Sequence, residues 1–596
     1  MTTTSHTEPN RPRRLAARLT ALYARTLLPL LILFLQSAAA QAQFNYTVTN
    51  NTVTITGYTG PGGDVTIPSS ILVNGVPLPV ASLGGSAFYN KTNLTKITIP
   101  NSVTNIGDSA FAYCSRLSIA SIPNNITHIG NYTFSECTNL AKITIPSGLV
   151  TIDTGVFANC RSLTNVTIPN NVTSIGTYAF LFSGLTNVTI GNNVTNIGDE
   201  SFDGCPLVDV TIPNSVTRME HEAFFDNPRL TNLILGQGLK SMGDAVFFAC
   251  DGLTSVSIPD SVTDLGYRTF SECYGLGSVT IGKGLTNFGD SAFAGCTNLT
   301  NLILRDGLSG IGYNMFEGCT KLNNISIPET VEWIGDYAFG SCRNLTGINL
   351  PDGVVSIGRY AFSDCGMTNL TITKSITNIG SGAFSSCSNL TEIFVDRANP
   401  VYYATDGVLF YGAANEVIQY PAGRKGSYTI PNGVTSIREG AFYMCPFLTS
   451  VTIPNSVTNI GPYAFYYSPC FTAAYFTGDA PVASGEAFFW VNGATAYYLP
   501  GTTGWGTSIG GCPIALWRLP NPLILAYRAN FGLHNSKFGF TISWATNVPV
   551  IVEATPDLNG PSWAPVATNT LTNGASYFSD PNWSNAPSRF YRLRSP

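Results

Sequence analysis

One phenylalanine recurs through this chain at an almost fixed interval. It occupies positions 88, 111, 134, 157, 180, 202, 224, 247, 270, 293, 316, 339, 362 and 384. Ten of these thirteen intervals are 23 residues and three are 22. Phe442, Phe465 and Phe488 resume the series after a gap of 58, which is one period plus 35 residues. Self-similarity at a fixed short period is the signature of a solenoid, in which each unit shares its apolar face with its neighbours.

Residues 94–114, LTKITIPNSVTNIGDSAFAYC, show what one unit contains. Ile97-Thr98-Ile99 alternates apolar and polar residues, as a strand with one buried face does. Pro100 ends that strand because proline cannot donate to a ladder, and Pro123, Pro146, Pro259 and Pro454 repeat it. Val103 and Ile106 turn inward, and Gly107 permits a tight bend. Asp108 stands where a helix N-cap belongs, ahead of Ala110-Phe111. Asn131, Thr154, Asp199, Asp244, Asp290, Asp336 and Ser381 fill the same column. The pattern predicts a coil made of a strand, a bend and a short helical turn carrying the Phe. Seventeen coils stacked at about 4.8 Å would extend over roughly 80 Å.

The motif L-x-x-V-x-I-P-x-x-V-x-x-I-G-x-x-A-F-x-x-C resembles the BspA-like class of leucine-rich repeats of bacterial surface proteins. The 35 extra residues fit as well, since Asp406-Gly407-Val408-Leu409-Phe410 and Tyr420-Pro421 through Pro431 resemble an elongated repeat of that family. The resemblance implies an α/β leucine-rich repeat solenoid, strand-dominated with short helical turns. It also implies an exported or cell-surface binding or adhesion protein, with no shared catalytic residues to carry over.

On this reading residues 1–42 form a signal peptide. Arg11, Arg13, Arg14, Arg18 and Arg25 supply a positive segment, and Leu27 to Leu35 an apolar one too short to span a bilayer. Ala40-Gln41-Ala42 then offers a cleavage site. Residues 43–80 read as an N-terminal β cap, 81–395 as repeats, 396–430 as an insertion in an elongated repeat, 431–490 as repeats and 491–520 as a C-terminal cap. Residues 521–596 have lost the period. Alternation in Phe538-x-Phe540-x-Ile542-x-Trp544 and Val550-x-Val552 predicts a small all-β sandwich module there. No segment of the mature chain is apolar enough to remain in a membrane.

Composition narrows the chemistry. Charged residues are 11% of the chain and the net charge is −5, so there is no basic field to hold nucleic acid. Only four histidines occur, at 6, 128, 221 and 534, which leaves little for a His-centred triad or zinc site. Twelve of the fourteen cysteines sit three residues after a repeat Phe. In-register side chains point the same way and leave Cβ atoms too far apart for disulfides, so the column reads as buried free thiols. Cys470 and Cys512 lie off it, and a bridge between them and two free thiols are both compatible with the sequence. The recurring Asp column reads as caps, and no carboxylate pair has the context of a glycosidase acid and nucleophile. No cofactor or metal is expected, and no enzyme activity.

The outward strand column is the candidate binding surface: Thr98, Thr144, Thr167, Thr189, Thr211, Thr280, Thr371 and Thr452, with Asn165 and Asn187 two residues ahead. Two explanations fit it. One is β-propensity with side-chain ladders between coils; the other is a broad contact face for proteins or polysaccharide. Tyr402, Tyr403 and Tyr411 in the insertion read either as the local core of a hairpin or as a second candidate patch. The sequence therefore predicts a non-enzymatic exported repeat protein that binds extracellular or surface proteins, or polysaccharide. A structural spacer is the alternative, and a carbohydrate-active enzyme a weaker one.

Overall fold

The computed structural model describes residues 42–526 and 531–595. Residues 1–41 of the expected export signal lie outside them. The chain divides into two compact units, one ending at Val262 and the other beginning at Thr263.

The first unit opens with two hairpins. Phe44–Thr49 pairs antiparallel with Thr52–Tyr58 across Asn50-Asn51, and Ser70–Val73 with Val76–Leu83 across Asn74-Gly75. Both loops have two consecutive residues at positive φ, the backbone that two-residue hairpin turns require. From there the pairing becomes parallel. Most coils contribute an outward strand, as in Asn165–Thr167, Asn187–Thr189 and Asp209–Thr211, in register from coil to coil. A two-residue strand lies on a second face, as in Thr151–Ile152, Ser174–Ile175 and Asn196–Ile197. Leu94, Ile97, Val103, Ile106, Phe111 and Cys114 of one coil are all fully buried. The Phe rings form a stack, with Phe111–Phe134 centroids at 5.3 Å and planes 6° apart. Offset aromatic pairs of this kind add about 0.5–1.5 kcal/mol each beyond the area they bury.

The corner that carries the Phe is not helical. Among the described residues the one helical element is the three-residue 3-10 turn Trp583–Asn585. Instead, from Phe88 to Phe465 the residues two before and two after the repeat Phe adopt left-handed backbone: Ser109 (φ 54°) and Tyr113 (φ 62°) flank Phe111, and Tyr132 (φ 56°) and Glu136 (φ 61°) flank Phe134. This alternation splits the hydrogen bonds. Ser109, Phe111 and Tyr113 donate their N–H groups to the carbonyls of Asn131, Thr133 and Ser135 one coil on. Ala110, Ala112 and Cys114 donate back to Gly107, Ser109 and Phe111. A helix would satisfy all of these groups internally and leave neighbouring coils unjoined at this corner. The expected α/β coil with helical turns is thus corrected to an almost wholly strand-and-turn coil.

The capping column changes meaning accordingly. Asp108 Oδ1 accepts from the Asn131 N–H at 2.8 Å, Asp199 Oδ1 from His221 N–H at 3.1 Å, and Asn131 Oδ1 from Thr154 N–H at 3.1 Å. These side chains cap the next coil rather than a helix of their own. Gly107 likewise has no positive φ. A Cβ on it would lie 2.7 Å from the Gly85 nitrogen, so glycine is needed there for close approach between coils.

The second unit begins with coils of the same kind. Ser278–Thr280 is parallel to Asn301–Ile303 and Asn369–Ile372 to Glu392–Val395, and Phe270, Phe293 and Phe316 stack at 5.4 and 5.7 Å. Residues 396–430 interrupt them. Tyr402–Thr405, Val408–Tyr411 and Glu416–Gln419 form an antiparallel meander, turned first at Asp406-Gly407, and its last strand runs parallel to Ser436–Ile437. Tyr420 then takes the Phe position, 5.0 Å from Phe442. Gly426–Thr429, Leu448–Ile453, Ala473–Phe476, Thr495–Tyr498 and Cys512–Leu516 continue the outward sheet.

Beyond Pro520, Leu523–Leu525, Gly532–His534, Lys537–Ser543 and Ala575–Asp580 form one antiparallel sheet. Pro549–Thr555, Ala564–Thr570 and Phe590–Arg594 form another. Phe540, Ile542, Val550, Val552, Leu571 and Phe578 share one core.

Candidate functional site

All fourteen cysteines are free thiols; Cys470 is exposed and Cys512 buried. The column of twelve is buried, and its thiols do more than fill space. Cys114 Sγ donates to the Phe88 carbonyl at 3.1 Å, Cys137 to Phe111 at 3.2 Å, and Cys342 to Phe316 at 3.2 Å. At two of the positions where the column holds another residue the bond survives: Asn227 Nδ2 donates to the Phe202 carbonyl at 2.9 Å and Ser468 Oγ to Phe442 at 3.3 Å, while the Ser183 hydroxyl pairs with Cys205 Sγ at 3.2 Å. The position selects a small side chain carrying a donor. Burial pushes the Cys114 thiol up to about 12, which keeps that donor proton in place and the thiol unreactive. Among the described residues no group of three or more His, Cys, Asp or Glu converges as a metal site would require.

The outward column is where the chain meets solvent. Asn165 and Thr167 pair in register with Asn187 and Thr189, Asn187 continues onto Asp209, and all of these together with Thr211 are exposed around buried Val166, Val188 and Val210. Thr144 and Thr371 are exposed as well, while Thr98, Thr280 and Thr452 are half-buried. Thr144 lies outside a regular strand. Ladders between coils are made by the neighbouring position instead: Ser118 Oγ bonds to the Thr95 carbonyl at 3.1 Å and Thr186 Oγ1 to the Thr164 carbonyl at 3.2 Å.

The same column contains members that a search for Thr overlooks. Thr211 is in register with Ile234, Thr280 with Ile303, and Thr371 with Phe394. Their side chains stand in solvent at 53%, 41% and 48% exposure. Further along, Thr452 is followed in register by Tyr475 and then Tyr497. Within each unit the outward column is therefore a hydroxyl lattice with apolar side chains set into it, aromatic ones among them in the second unit. Reading off whatever residue stands thirteen before each repeat Phe recovers Ile234, Ile303 and Tyr475 from sequence alone.

The three insertion tyrosines divide. Tyr402 is buried, and its hydroxyl accepts the Ile379 N–H at 2.9 Å; it ties the insertion to the preceding coil. Tyr403 is exposed and stacks on Phe410 at 5.1 Å. Tyr411 is half-buried, with the Arg438 guanidinium over its ring at 6.0 Å. Two of the three rings remain within reach of a partner. Among the described residues no helix is long and apolar enough to cross a membrane.

Solved structures similar to this chain are leucine-rich repeat proteins. One from Bacteroides ovatus is 30% identical over 59% of this chain and 92% of its own, with a TM-score of 0.48. A leucine rich cell surface protein from Faecalibacterium prausnitzii is 22% identical over 76% of this chain and 86% of its own, with a TM-score of 0.27. A leucine-rich repeat protein from Eubacterium ventriosum is 22% identical over 55% of this chain and 94% of its own, with a TM-score of 0.35. No curated protein matches the chain. The model of the BspA type leucine rich repeat region matches residues 81–208, 195–323, 309–412 and 425–502, well over half the length, and the chain belongs to the BspA-type leucine-rich repeat family.

Proposed function

We propose that this is an exported, non-enzymatic protein that binds other macromolecules at the cell surface through the outward strand face of its repeats. The observation that carries this reading is the face itself: in-register, solvent-facing Asn and Thr side chains interrupted by exposed Ile234, Ile303 and Phe394. Large apolar side chains held in solvent at fixed strand positions favour contact with a partner. The surrounding hydroxyls and amides supply hydrogen bonds without charge. Tyr403 and Tyr411 would extend the contact at the insertion. With few charges to steer encounter, affinity should depend only weakly on salt.

Replacing Thr167 and Thr189 together by Lys tests this directly. Two unpaired ammonium groups placed in a desolvated contact are expected to weaken cell-surface binding tenfold or more, with the melting temperature unchanged because both side chains stand in solvent. A chain serving only as a spacer would keep its function in this variant.

A further inference from the structure

Where the outward face reaches its last coils, its chemistry changes. The Thr column gives way to Tyr475 and Tyr497, whose rings stack at 5.3 Å with planes 18° apart. Trp517 lies over Tyr475 at 4.8 Å. The antiparallel module beyond Pro520 packs against this end: Ser543 Oγ donates to the Pro500 carbonyl at 2.6 Å, and Trp544 Nε1 to the Leu519 carbonyl at 2.9 Å. Between them is a cleft of about 870 Å³, lined by these four aromatic side chains and by Arg518. That volume lies within the range of small-ligand sites, roughly 300–1,000 Å³.

Several features narrow the occupant. Arg518 is the one charged side chain lining the cleft, it is exposed, and it makes no ion pair among the described residues. Neither tyrosine hydroxyl is used in a hydrogen bond among the described residues. Thr495–Tyr498 is paired on both sides, with Ala473–Phe476 and with Cys512–Leu516, so a peptide cannot extend the sheet alongside the strand that carries Tyr497. What remains is a set of half-buried aromatic rings, two phenol hydroxyls and one unneutralised guanidinium. The rings' electron-rich faces attract the C–H-bearing face of a pyranose. Phenols can bond its hydroxyls, and a guanidinium matches a carboxylate in a bidentate fork.

We infer that this cleft binds an acidic glycan, with a sugar carboxylate on Arg518 and sugar rings stacked on Tyr497 and Trp517, the two rings that flank Tyr475. The inference rests on the proposed function above and names a ligand class for the end of the same face.

The test titrates the full mature chain with tetragalacturonate and with its methyl ester, which has the same shape without the charge, following heat and tryptophan fluorescence. Saturable binding of the acid, at least tenfold tighter than the ester, is expected. Arg518→Gln should erase that preference while leaving the ester's affinity unchanged, and Trp517→Ala should weaken both ligands, with unchanged melting as the control for folding. Equal binding of acid and ester, binding of neither, or an Arg518→Gln protein that keeps its preference overturns the inference. So does tighter binding of a carboxylate-ended tetrapeptide than of the uronate. Thr167→Lys with Thr189→Lys should leave uronate binding intact, because those positions lie outside the cleft. A cleft that fails beside a strand face that still binds cells would separate this inference from the reading it extends.

Discussion

At the scale of single residues, the repeat positions are chosen by bonds between coils as much as by packing. The cysteine column shows this. A small apolar residue would satisfy volume alone, yet between Phe111 and Phe465 the only substitutes for Cys are Ser183, Asn227 and Ser468, and a Val enters the column only after the last repeat Phe, at Val491. Cys137→Val should therefore cost about 1–3 kcal/mol by leaving the Phe111 carbonyl unpaired in the core, and Cys137→Ser clearly less; chemical denaturation of both variants would show the order. Asp203 is the other informative residue. It is only 7% exposed, and burial, with the nearby Glu200, Glu222 and Asp226 carboxylates, raises it to about 7. The folded state then holds a proton that the unfolded chain has already released, so stability falls as pH rises from about 4 to 7. The loss should be about 4 kcal/mol, the equivalent of raising the carboxyl from 3.8 to about 7. Asp203→Asn should flatten that slope in melting experiments across this range. The column of thiols was readable from sequence because its spacing is strict, whereas their acceptor was not. The Phe carbonyl one coil away, 26 residues back for Cys137, becomes a neighbour only through stacking.

Among the elements, the strands were legible and the corner was not. Alternation in Ile97-Thr98-Ile99 and the proline that follows describe a half-buried strand unambiguously, and the fold contains Leu94–Thr98. The segment Asp108-Ser109-Ala110-Phe111 carries a capping residue and good helix formers, so local propensity pointed to a helix. The stack overrides it, because alternate left-handed residues free N–H groups for the next coil. Each such non-glycine residue costs roughly 1–2 kcal/mol by itself, and the inter-coil bonds over-determine it. Asn159 (φ 59°) tests this. Asn159→Val should destabilise by about 1–3 kcal/mol, since a β-branched side chain fits that backbone poorly, and Asn159→Gly should be neutral or better. The glycine column tests the complementary constraint. A Cβ on Gly130 would sit 2.3 Å from Asp108 Oδ1 and 2.6 Å from its backbone nitrogen. Gly130→Ala should lower stability by at least 1–3 kcal/mol, although its φ is ordinary.

For the molecule as a whole, the 23-residue period carried most of what could be known beforehand: a solenoid, its buried columns, and the face it turns to solvent. It carried less about recognition. The Thr and Asn columns were visible because they repeat, while Ile234, Ile303 and Phe394 were missed because they break the repeat. Irregular members of a regular face are where a partner can be distinguished. Tyr402 shows a related limit, since an insertion aromatic fits a local core and a contact patch alike until its hydroxyl is found bonded inside. The arrangement around Arg518 was beyond sequence reading altogether, because Tyr475 and Trp544 are separated by 69 residues and meet only where the last coils and the following module pack together.

The most direct test of strand-face recognition is saturable binding of the labelled mature chain to intact cells of its source and of their neighbours, measured at 50 and 200 mM salt. Alongside it, the Thr167→Lys, Thr189→Lys variant is measured under the same conditions. The expected result is saturable binding that changes by less than about threefold with salt and is lost at least tenfold in the variant. Binding that collapses with salt, or that the two lysines leave untouched, would contradict recognition through this face.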